Sequence, residues 1–345
     1  MERIKVGIAM SGGVDSTAAA LMLKNQYDVT GFFMQLAQPD RERQIARVNE
    51  IADRIGIHLH VIDLTDSFDK HVLQYFSQSY LSGSTPNPCI VCNRKIKFGL
   101  FLETLIDNGM DMMATGHYAR IVQSPQGYHL YKGKDRHKDQ SYFLSRLEQK
   151  QLSRLLFPLG GLQKEDAYLL AEENGHTGFR GKESQDVCFL DKTSVAQFLQ
   201  KKEQQTLSPG NITDIAGRIL GKHNGAAHYT IGQRKGLGIS APHPVYVVGI
   251  DTAANTVVVG TEKELFKSQI IIRDLHWLAN CPPKQLDSFL VKIRSTHKGS
   301  MAKLINGEEG NWILHFDTPQ RAITPGQYAV LYHNDEVMGS GVIVE

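Results

Sequence analysis

A glycine-rich segment near the start of the chain has the composition of a phosphate-binding loop. It reads Ser11-Gly12-Gly13-Val14-Asp15-Ser16 and joins a short apolar run to an Ala-rich run. Two glycines let backbone N–H groups turn towards an anion, a helix N-terminus adds partial positive charge, and the serines supply hydroxyl donors. No Lys is present, so this is not the GxxxxGK[ST] loop. We predict a site for pyrophosphate or an α-phosphate.

Three of the four cysteines lie in polar or basic sequence. Cys89 and Cys92 have Cys-x-x-Cys spacing behind two prolines, and basic residues follow at once. Cys188 lies in a polar stretch much farther along. A nearby cation lowers the pKa of a thiol and raises its thiolate fraction. We therefore predict thiol chemistry for these three cysteines, and leave Cys281 as a small apolar residue.

A basic stretch is a candidate surface for nucleic acid. The 38 Lys+Arg and 36 Asp+Glu give a net charge of +2, so a phosphate-binding surface has to be a local patch. Residues 132–150 are predicted to form it, with Asp135, Asp139 and Glu148 as their only acids. Its basic residues are Lys132, Lys134, Arg136, Lys138, Arg146 and Lys150. The turn 232–236, which contains Arg234 and Lys235, is also predicted to face RNA.

The elements that must position these residues alternate between strand and helix in the first part of the chain. Short apolar runs predict strands, and apolar residues at helical spacing predict helices. The predicted strands are Ile4–Met10, Val29–Met34, His58–Ile62 and Met110–Thr115, and the predicted helices are Ser16–Leu23 and one that runs through Ile45 and Ile55. This alternation predicts an α/β fold with a parallel sheet and helices on its faces.

Beyond about residue 205 the pattern becomes β-rich, with frequent Gly, Pro and Asn. Tyr246–Ile250 and Thr256–Gly260 predict a hairpin. Further strands are predicted at Phe289–Ile293, Met301–Ile305, Trp312–Phe316 and Tyr328–Tyr332. We predict an α/β catalytic domain over 1–205, a small central β-rich domain over 206–265, and a barrel-like tRNA-binding domain over 266–345.

Length and composition exclude several classes of protein. A chain of 345 residues with four Cys has no disulfide framework. Its first apolar run is too short for a signal peptide, and no apolar stretch approaches the roughly 18 residues of a membrane span. We therefore expect a cytoplasmic protein with no membrane partner, in a reducing compartment where paired cysteines serve chemistry.

The phosphate loop resembles that of the PP-loop ATP pyrophosphatases, which cleave ATP between the α and β phosphates and adenylate a carbonyl oxygen. Within that superfamily the chain resembles the tRNA-specific 2-thiouridylases along almost its whole length. The segments that carry this closer resemblance are Ser11–Ser16, Thr85–Phe98, Thr115–Arg120, Lys138–Leu144, Phe157–Gly160, Ser184–Phe189, Tyr229–Gly238 and Arg321–Gln327.

The resemblance implies an ATP-dependent sulfur transfer to tRNA. The C2 oxygen of the wobble uridine attacks the α-phosphate of ATP, pyrophosphate leaves, and sulfur then replaces the adenylated oxygen and expels AMP. The residue matching Cys188 carries a persulfide, and the one matching Cys92 is the second catalytic thiol, which releases sulfur by forming a disulfide. Such an exchange needs a second thiolate within reach of the sulfur–sulfur bond.

The same resemblance implies binding residues and partners. ATP, with Mg²⁺, is expected at Ala9, Met10, Ser11, Gly12, Gly13, Val14, Asp15, Ser16, Met34 and Gly116. The flipped target base is expected against Asn87, Pro88 and Cys89, and the tRNA at His117, Lys138, Asp139, Gln140, Arg294, Ser295 and Gln327. The expected partners are tRNAs for Lys, Glu and Gln, and a cysteine desulfurase or sulfur-relay protein.

The chain departs from the family pattern at Cys89, where many members have an Asp with an acid/base role. This third thiol opens an alternative in which Cys89, Cys92 and Cys188 ligate a [4Fe–4S] cluster with one open iron that carries sulfide. A three-Cys zinc site with an open position is a further alternative. The relay is preferred, because two thiols already satisfy the chemistry.

Two other functions remain to be weighed. A different PP-loop ligase, such as a glutamine-dependent amidotransferase, needs an ammonia source, and we expect no glutaminase domain because the first strand starts at Ile4. A non-catalytic RNA- or nucleotide-binding module would use the basic stretch and the β-rich part equally well, but it would not need three reactive cysteines.

Overall fold

The computed structural model describes residues 3–37, 40–181, 187–190, 193–203, 208–279 and 287–344. Its first part is built on a five-stranded parallel sheet with the order β3-β2-β1-β4-β7. The strands are β1 (Lys5–Ala9), β2 (Asp28–Gln35), β3 (Leu59–Asp63), β4 (Met112–Ala114) and β7 (Leu155–Leu156). The predicted α/β fold is confirmed. Since β2 and β4 flank β1, the strand order reverses there, and such a point places ligands outside the carboxyl ends of the strands.

Helices cover the two faces of this sheet. They are α1 (Val14–Leu23), α2 (Arg41–Ile55), α3 (Thr65–Phe68), α4 (Gln74–Leu81), α5 (Pro88–Val91), α6 (Leu102–Asp107), α7 (Gln149–Leu152), α8 (Lys164–Glu173) and α9 (Val195–Glu203). Two wider, π-helical segments, Asp69–Leu73 and Cys92–Phe101, continue α3 and α5. The two helices predicted from apolar spacing correspond to α1 and α2. No helix in the described part of the chain combines the length and apolar character of a membrane span.

The central part is a small sheet with the order β10-β11-β8-β9. Its strands are β8 (Gly210–Asp214), β9 (Ile219–His223), β10 (Tyr246–Asp251) and β11 (Thr256–Gly260). The predicted hairpin is the antiparallel pair β10–β11. Strands β8 and β9 were not predicted, because their polar and glycine-rich sequences lack a clear alternation.

The last part forms a six-stranded barrel, which β12 closes by pairing with both β15 and β17. Its strands are β12 (Phe266–Trp277), β13 (Ser288–Lys292), β14 (Ser300–Asn306), β15 (Trp312–Arg321), β16 (Tyr328–His333) and β17 (Glu336–Ile343). The barrel-like prediction is confirmed, although β12 and β17 were not predicted. The boundaries near residues 205 and 265 stay predictions.

A hairpin of the first part extends the barrel sheet. It consists of β5 (Ala119–Ser124) and β6 (Gly127–Lys132), and β6 pairs with β17 at Tyr131 and Glu336. The apolar core is shared as well, since Phe98 and Tyr142 are buried in one cluster with barrel residues. The sheet and the core therefore hold the barrel directly against the α/β part.

Replacing Tyr142 by Phe tests this junction. The buried Tyr142 hydroxyl donates to the carbonyl of Tyr328 in the barrel at 2.9 Å. Its loss leaves that carbonyl without this donor, so we expect the chain to lose about 1 kcal/mol of stability. The measurement is the urea midpoint relative to wild type. Tyr27→Phe is the control, since the Tyr27 hydroxyl has no hydrogen-bond partner among the described residues; equal midpoints for the two variants would contradict the prediction.

Candidate active site

The predicted phosphate loop connects β1 to α1, and Gly12 determines its shape. Gly12 has a φ of 76°, in the left-handed region, and a Cβ there would lie 3.1 Å from Cγ2 of Val48 on α2. Gly13 has a φ of −95°, and its Cβ would make only an ordinary contact with the Ser11 hydroxyl. Glycine is therefore required by conformation at Gly12 and not at Gly13.

Hydrogen bonds within the loop fix its backbone. Ser16 Oγ donates to the Gly13 carbonyl at 3.0 Å and accepts from the Ser11 N–H at 3.2 Å. Ser16 is buried, so its hydroxyl holds the loop rather than serving as the free anion donor expected from the sequence. Among the described residues, the N–H groups of Gly12, Gly13 and Val14 have no hydrogen-bond partner. Unpaired N–H groups at a helix N-terminus are the donors that anions bind.

Asp15 is held by two residues from distant parts of the chain. Lys164 Nζ lies 2.8 Å and 2.9 Å from the two carboxylate oxygens, and the Tyr118 hydroxyl donates to the carboxylate at 2.9 Å. The Lys164 side chain is only 10% exposed, whereas that of Asp15 is 37% exposed. Lys164, at the start of α8, was not predicted as a site residue, because no local pattern distinguishes it from other lysines.

The remaining predicted ATP residues lie around the ends of β1, β2 and β4. A Cβ on Gly116 would come within 2.7 Å of the Asp15 backbone, so the segment after β4 packs closely on the loop. Ala9 and Met10 lead into the loop, and Met10 is buried. Met34 lies near the end of β2 and is half-buried.

An open cavity of about 1380 Å³ lies in front of the loop. Its lining includes Ser11–Asp15 and Lys164, together with four residues predicted to contact tRNA, which are Lys138, Asp139, Gln140 and Ser295. Lys and Arg side chains outnumber carboxylates in its lining. Small-molecule sites are usually about 300–1,000 Å³. The cavity thus has room for more than a nucleotide.

Only some of the basic residues in the predicted stretch line the cavity. Lys132, Arg136 and Lys138 line the cavity. Arg146 does not, since its side chain is 3% exposed and donates to the carbonyls of Asp274 and Ser340 in the barrel. Arg146 is therefore a structural residue, which corrects its assignment to the RNA-facing patch.

Several residues that are predicted to contact tRNA form hydrogen bonds within the protein. The Asp139 carboxylate accepts from the N–H groups of Gly133 and Ser141, both at 3.1 Å, and Gln140 Oε1 accepts from the Tyr118 N–H at 3.0 Å. These bonds shape the turn that presents Lys138. Arg294 is half-buried and donates to a carbonyl in the barrel at 3.3 Å.

Gln327 connects the barrel to the segment that carries the cysteines. Its Nε2 donates to the carbonyls of Thr85 at 2.9 Å and Pro86 at 3.1 Å, and the Thr85 N–H donates to the Pro325 carbonyl at 2.8 Å. A Cβ on Gly326 would lie 2.9 Å from the Thr85 oxygen, so the two backbones touch. The barrel therefore fixes the approach to Cys89.

Asn87 and Pro88 begin the helix on which Cys89 lies. The Asn87 side chain caps α5 by accepting from the Ile90 N–H at 3.3 Å, and Pro88 occupies the first helical turn. Both residues are buried, whereas Cys89 is exposed. Of the three residues expected to contact the target base, Cys89 is the one open to solvent.

The three cysteines are neighbouring free thiols. Cys92 is half-buried and packs in one apolar cluster with Phe189, whose ring lies 5.0 Å from that of Phe76. Phe189 thereby anchors the turn that presents the exposed Cys188. The sequence predicted these residues without showing that one apolar cluster joins Cys92 to the residue that follows Cys188. Cys281 and the stretch 182–186 next to the Cys188 turn lie outside the described residues.

Desolvation dominates the electrostatics of the thiols. It raises the pKa of Cys89 and of Cys188 even though both reach solvent, because protein atoms surround them, and it raises the pKa of Cys92 to about 12. Burial also holds the pKa of His117 well below 6.5, with Lys97 adding to the effect. His117 Nδ1 lies 2.7 Å from the Thr115 hydroxyl. Within the described ranges, no three His, Cys, Asp or Glu side chains form a group that could hold a metal ion.

Three family models match consecutive parts of the chain. Residues 4–192 match a tRNA methyl transferase HUP domain, 196–261 a tRNA methyl transferase PRC-barrel domain, and 267–343 an aminomethyltransferase beta-barrel domain. A protein of Desulfotalea psychrophila named tRNA-specific 2-thiouridylase MnmA is 52% identical over 338 residues, which are 98% of each chain.

Other full-length relatives carry the same name. One from Syntrophomonas wolfei is 43% identical over 343 residues, covering 99% of this chain and 100% of its own. One from Carboxydothermus hydrogenoformans is 41% identical over 358 residues, covering 99% and 98%. The chain belongs to the tRNA-specific 2-thiouridylase family. The resemblance found in the motifs is confirmed, and the predicted enzyme class is that of this family.

The conformational difference between the two loop glycines gives a prediction for this 2-thiouridylase family member. Gly12→Ala forces a left-handed backbone on Ala, at a cost of about 1–2 kcal/mol, and crowds Val48. We expect ATP to bind about tenfold more weakly to this variant, and to bind Gly13→Ala within about twofold of wild type. Calorimetric titration with ATP measures both. Equal weakening in the two variants would contradict the assignment of the loop's conformational requirement to Gly12.

Proposed function

We propose that this chain is an ATP-dependent tRNA-uridine 2-sulfurtransferase acting on the wobble uridine. The observation that carries the proposal is the presence, in one α/β region, of a phosphate loop with unpaired N–H groups and of three neighbouring free thiols. A methyl transferase, which the family-model descriptions name, would need neither feature. Family membership over the full length adds the choice of tRNA as substrate.

The first step is adenylation of the uridine. The phosphate loop binds ATP, and the C2 oxygen attacks the α-phosphorus, forming an oxygen–phosphorus bond as the bond to pyrophosphate breaks. Lys164 is placed to offset the charge of pyrophosphate, since it lines the same cavity as the loop. Asp15, whose carboxylate is partly exposed, is the acidic group of the loop that would ligate the Mg²⁺ accompanying ATP.

The second step is sulfur transfer. A persulfide on Cys188 is attacked at its inner sulfur by the Cys92 thiolate, so a Cys92–Cys188 disulfide forms and hydrosulfide leaves. Hydrosulfide adds at C2 and AMP departs with the original oxygen. An external dithiol then reduces the disulfide for the next turnover. Sulfur comes from a cysteine desulfurase or a sulfur-relay protein that loads Cys188.

The iron–sulfur alternative assigns Cys89, Cys92 and Cys188 as three ligands of a [4Fe–4S] cluster. A chemical argument favours the relay, since the pair Cys92 and Cys188 is sufficient for the exchange. In the relay Cys89 is a neighbouring thiol at the place of an acid.

The large cavity is the proposed tRNA site. Its basic residues share the cavity lining with the phosphate loop, and Lys138 is presented by the turn that Asp139 and Gln140 shape. The tRNAs are expected to be those for Lys, Glu and Gln, and the compartment is expected to be the cytoplasm. The target base would turn out of the stacked bases of the anticodon loop towards Cys89.

Replacing Cys89 by Ser distinguishes the two sulfur-transfer mechanisms. Under the relay the variant should keep at least about half of wild-type turnover, because neither the carrier nor the resolving thiol is lost. Cys92→Ser and Cys188→Ser should each abolish thiolation. The assay is anaerobic 2-thiouridine formation with a cysteine desulfurase and cysteine as the persulfide source and no added sulfide, with iron and acid-labile sulfide of the protein quantified in the same samples. Cys281→Ser is the control variant and should match wild type.

Two outcomes would contradict this reading. An iron-containing wild type beside an inactive, iron-free Cys89→Ser would replace the relay by the cluster. Activity lost in Cys89→Ser but retained in Cys188→Ser would refute both mechanisms.

Lys138→Ala tests the tRNA surface. Loss of one phosphate contact should weaken tRNA binding and reduce the slope of log affinity against log salt by about one. Lys150→Ala is the matched control, because Lys150 belongs to the same basic stretch but does not line the cavity. Filter binding over a salt series measures both slopes. If Lys138→Ala keeps the wild-type slope, Lys138 does not contact phosphate.

A further inference from the structure

Lys97 is a half-buried lysine on the segment that begins at Cys92. Among the described residues, it forms no hydrogen bond and no ion pair. Its neighbours differ, since Arg94 pairs with Glu148 at 3.4 Å and Lys95 is exposed to solvent. An ammonium partly removed from water is stabilised by a nearby anion, and no carboxylate of the described residues supplies one to Lys97.

The local helix geometry places Lys97 beside the cysteines. The π-helical segment begins at Cys92, and in such a segment each N–H bonds five residues back. Residues five apart, such as Cys92 and Lys97, therefore lie about one turn apart on this segment. The wider turns end near Gly99, whose φ of −96° and ψ of −105° depart from helical values.

The charge of Lys97 acts on all three thiols. It lowers the pKa of Cys89, Cys92 and Cys188, and so opposes the desolvation that raises the pKa of each. The other titratable groups that shift the pKa of Cys92 are Cys89 and Cys188. Lys97 also lowers the pKa of His117. No carboxylate of the described residues contributes to these shifts. Lys97 is the one cation that acts on every thiol of the cluster.

We propose that Lys97 is a positioning residue that serves as counter-ion for the sulfur anions of Cys92 and Cys188. This inference rests on the proposed sulfur transfer. Each stage of that transfer places one negative charge among the three cysteines, first on the attacking thiolate and then on the released hydrosulfide. A single unpaired ammonium offsets that charge at both stages without a proton being moved. Lys97 does not line the large cavity, so a role in binding the phosphates of tRNA is the less favoured assignment.

Alkylation of the thiols tests the proposal without ATP or tRNA. Wild type, Lys97→Met, Lys97→Gln and Lys97→Arg are treated with iodoacetamide from about pH 6 to pH 10, and peptide mass spectrometry gives the rate at each cysteine. Below the midpoint of the profile, we expect Lys97→Met and Lys97→Gln to react about tenfold more slowly at Cys188 and Cys92 than wild type, because their thiolate fraction falls. Lys97→Arg should retain the wild-type profile. Lys95→Met is the matched control and should also match wild type.

Two results would overturn the counter-ion role. One is a Lys97→Met profile that overlays wild type, with or without a loss of tRNA affinity. The other is an equal shift in Lys97→Met and Lys95→Met, which would reflect net charge alone. Because tRNA is absent, a shifted alkylation profile in a protein that fails to thiolate tRNA would refute the proposed function while leaving the role of Lys97 intact.

Discussion

The Asp15 carboxylate is the contact on which the geometry of the nucleotide site depends. It joins the phosphate loop to Tyr118 and Lys164, which lie 103 and 149 residues away in the sequence. Gly116 packs on the same loop, so the ends of β1 and β4 and the start of α8 meet at one carboxylate. Because Tyr118 leads directly into β5, this contact also orients the hairpin that extends the barrel sheet. Loss of one partner would leave a partly buried charge unpaired.

The thiol segment has a comparable dependence on the barrel. Gln327 lies more than 240 residues from the carbonyls that it holds at Thr85 and Pro86. Those two residues stiffen the approach to α5, and α5 determines where Cys89 and Cys92 lie. The barrel is thus part of the construction of the thiol site. The nucleotide site and the thiol segment both depend on contacts between segments that are distant in sequence.

Sequence patterns could predict the features that are local. The strand, loop and helix around Gly12 form one continuous stretch, and the Cys-x-x-Cys spacing of Cys89 and Cys92 is visible in the sequence itself. Lys164 could not be predicted, because its role comes from a partner far along the chain. Arg146 was misassigned for the converse reason, since charge alone does not show that a guanidinium is buried against barrel carbonyls. Strand β12 was missed because its residues do not alternate regularly between buried and exposed.

Lys164 and Lys97 differ in whether the ammonium group already has a partner among the described residues. Lys164 is paired with Asp15, so an incoming phosphate or Mg²⁺ has to compete with an existing contact. Lys97 has no partner among the described residues, so none of them competes with an arriving sulfur anion. Salt screens exposed charges strongly and partly buried charges much less. Ionic strength should therefore govern the encounter with tRNA at the cavity, while the sulfur chemistry around Lys97 stays largely insensitive to it.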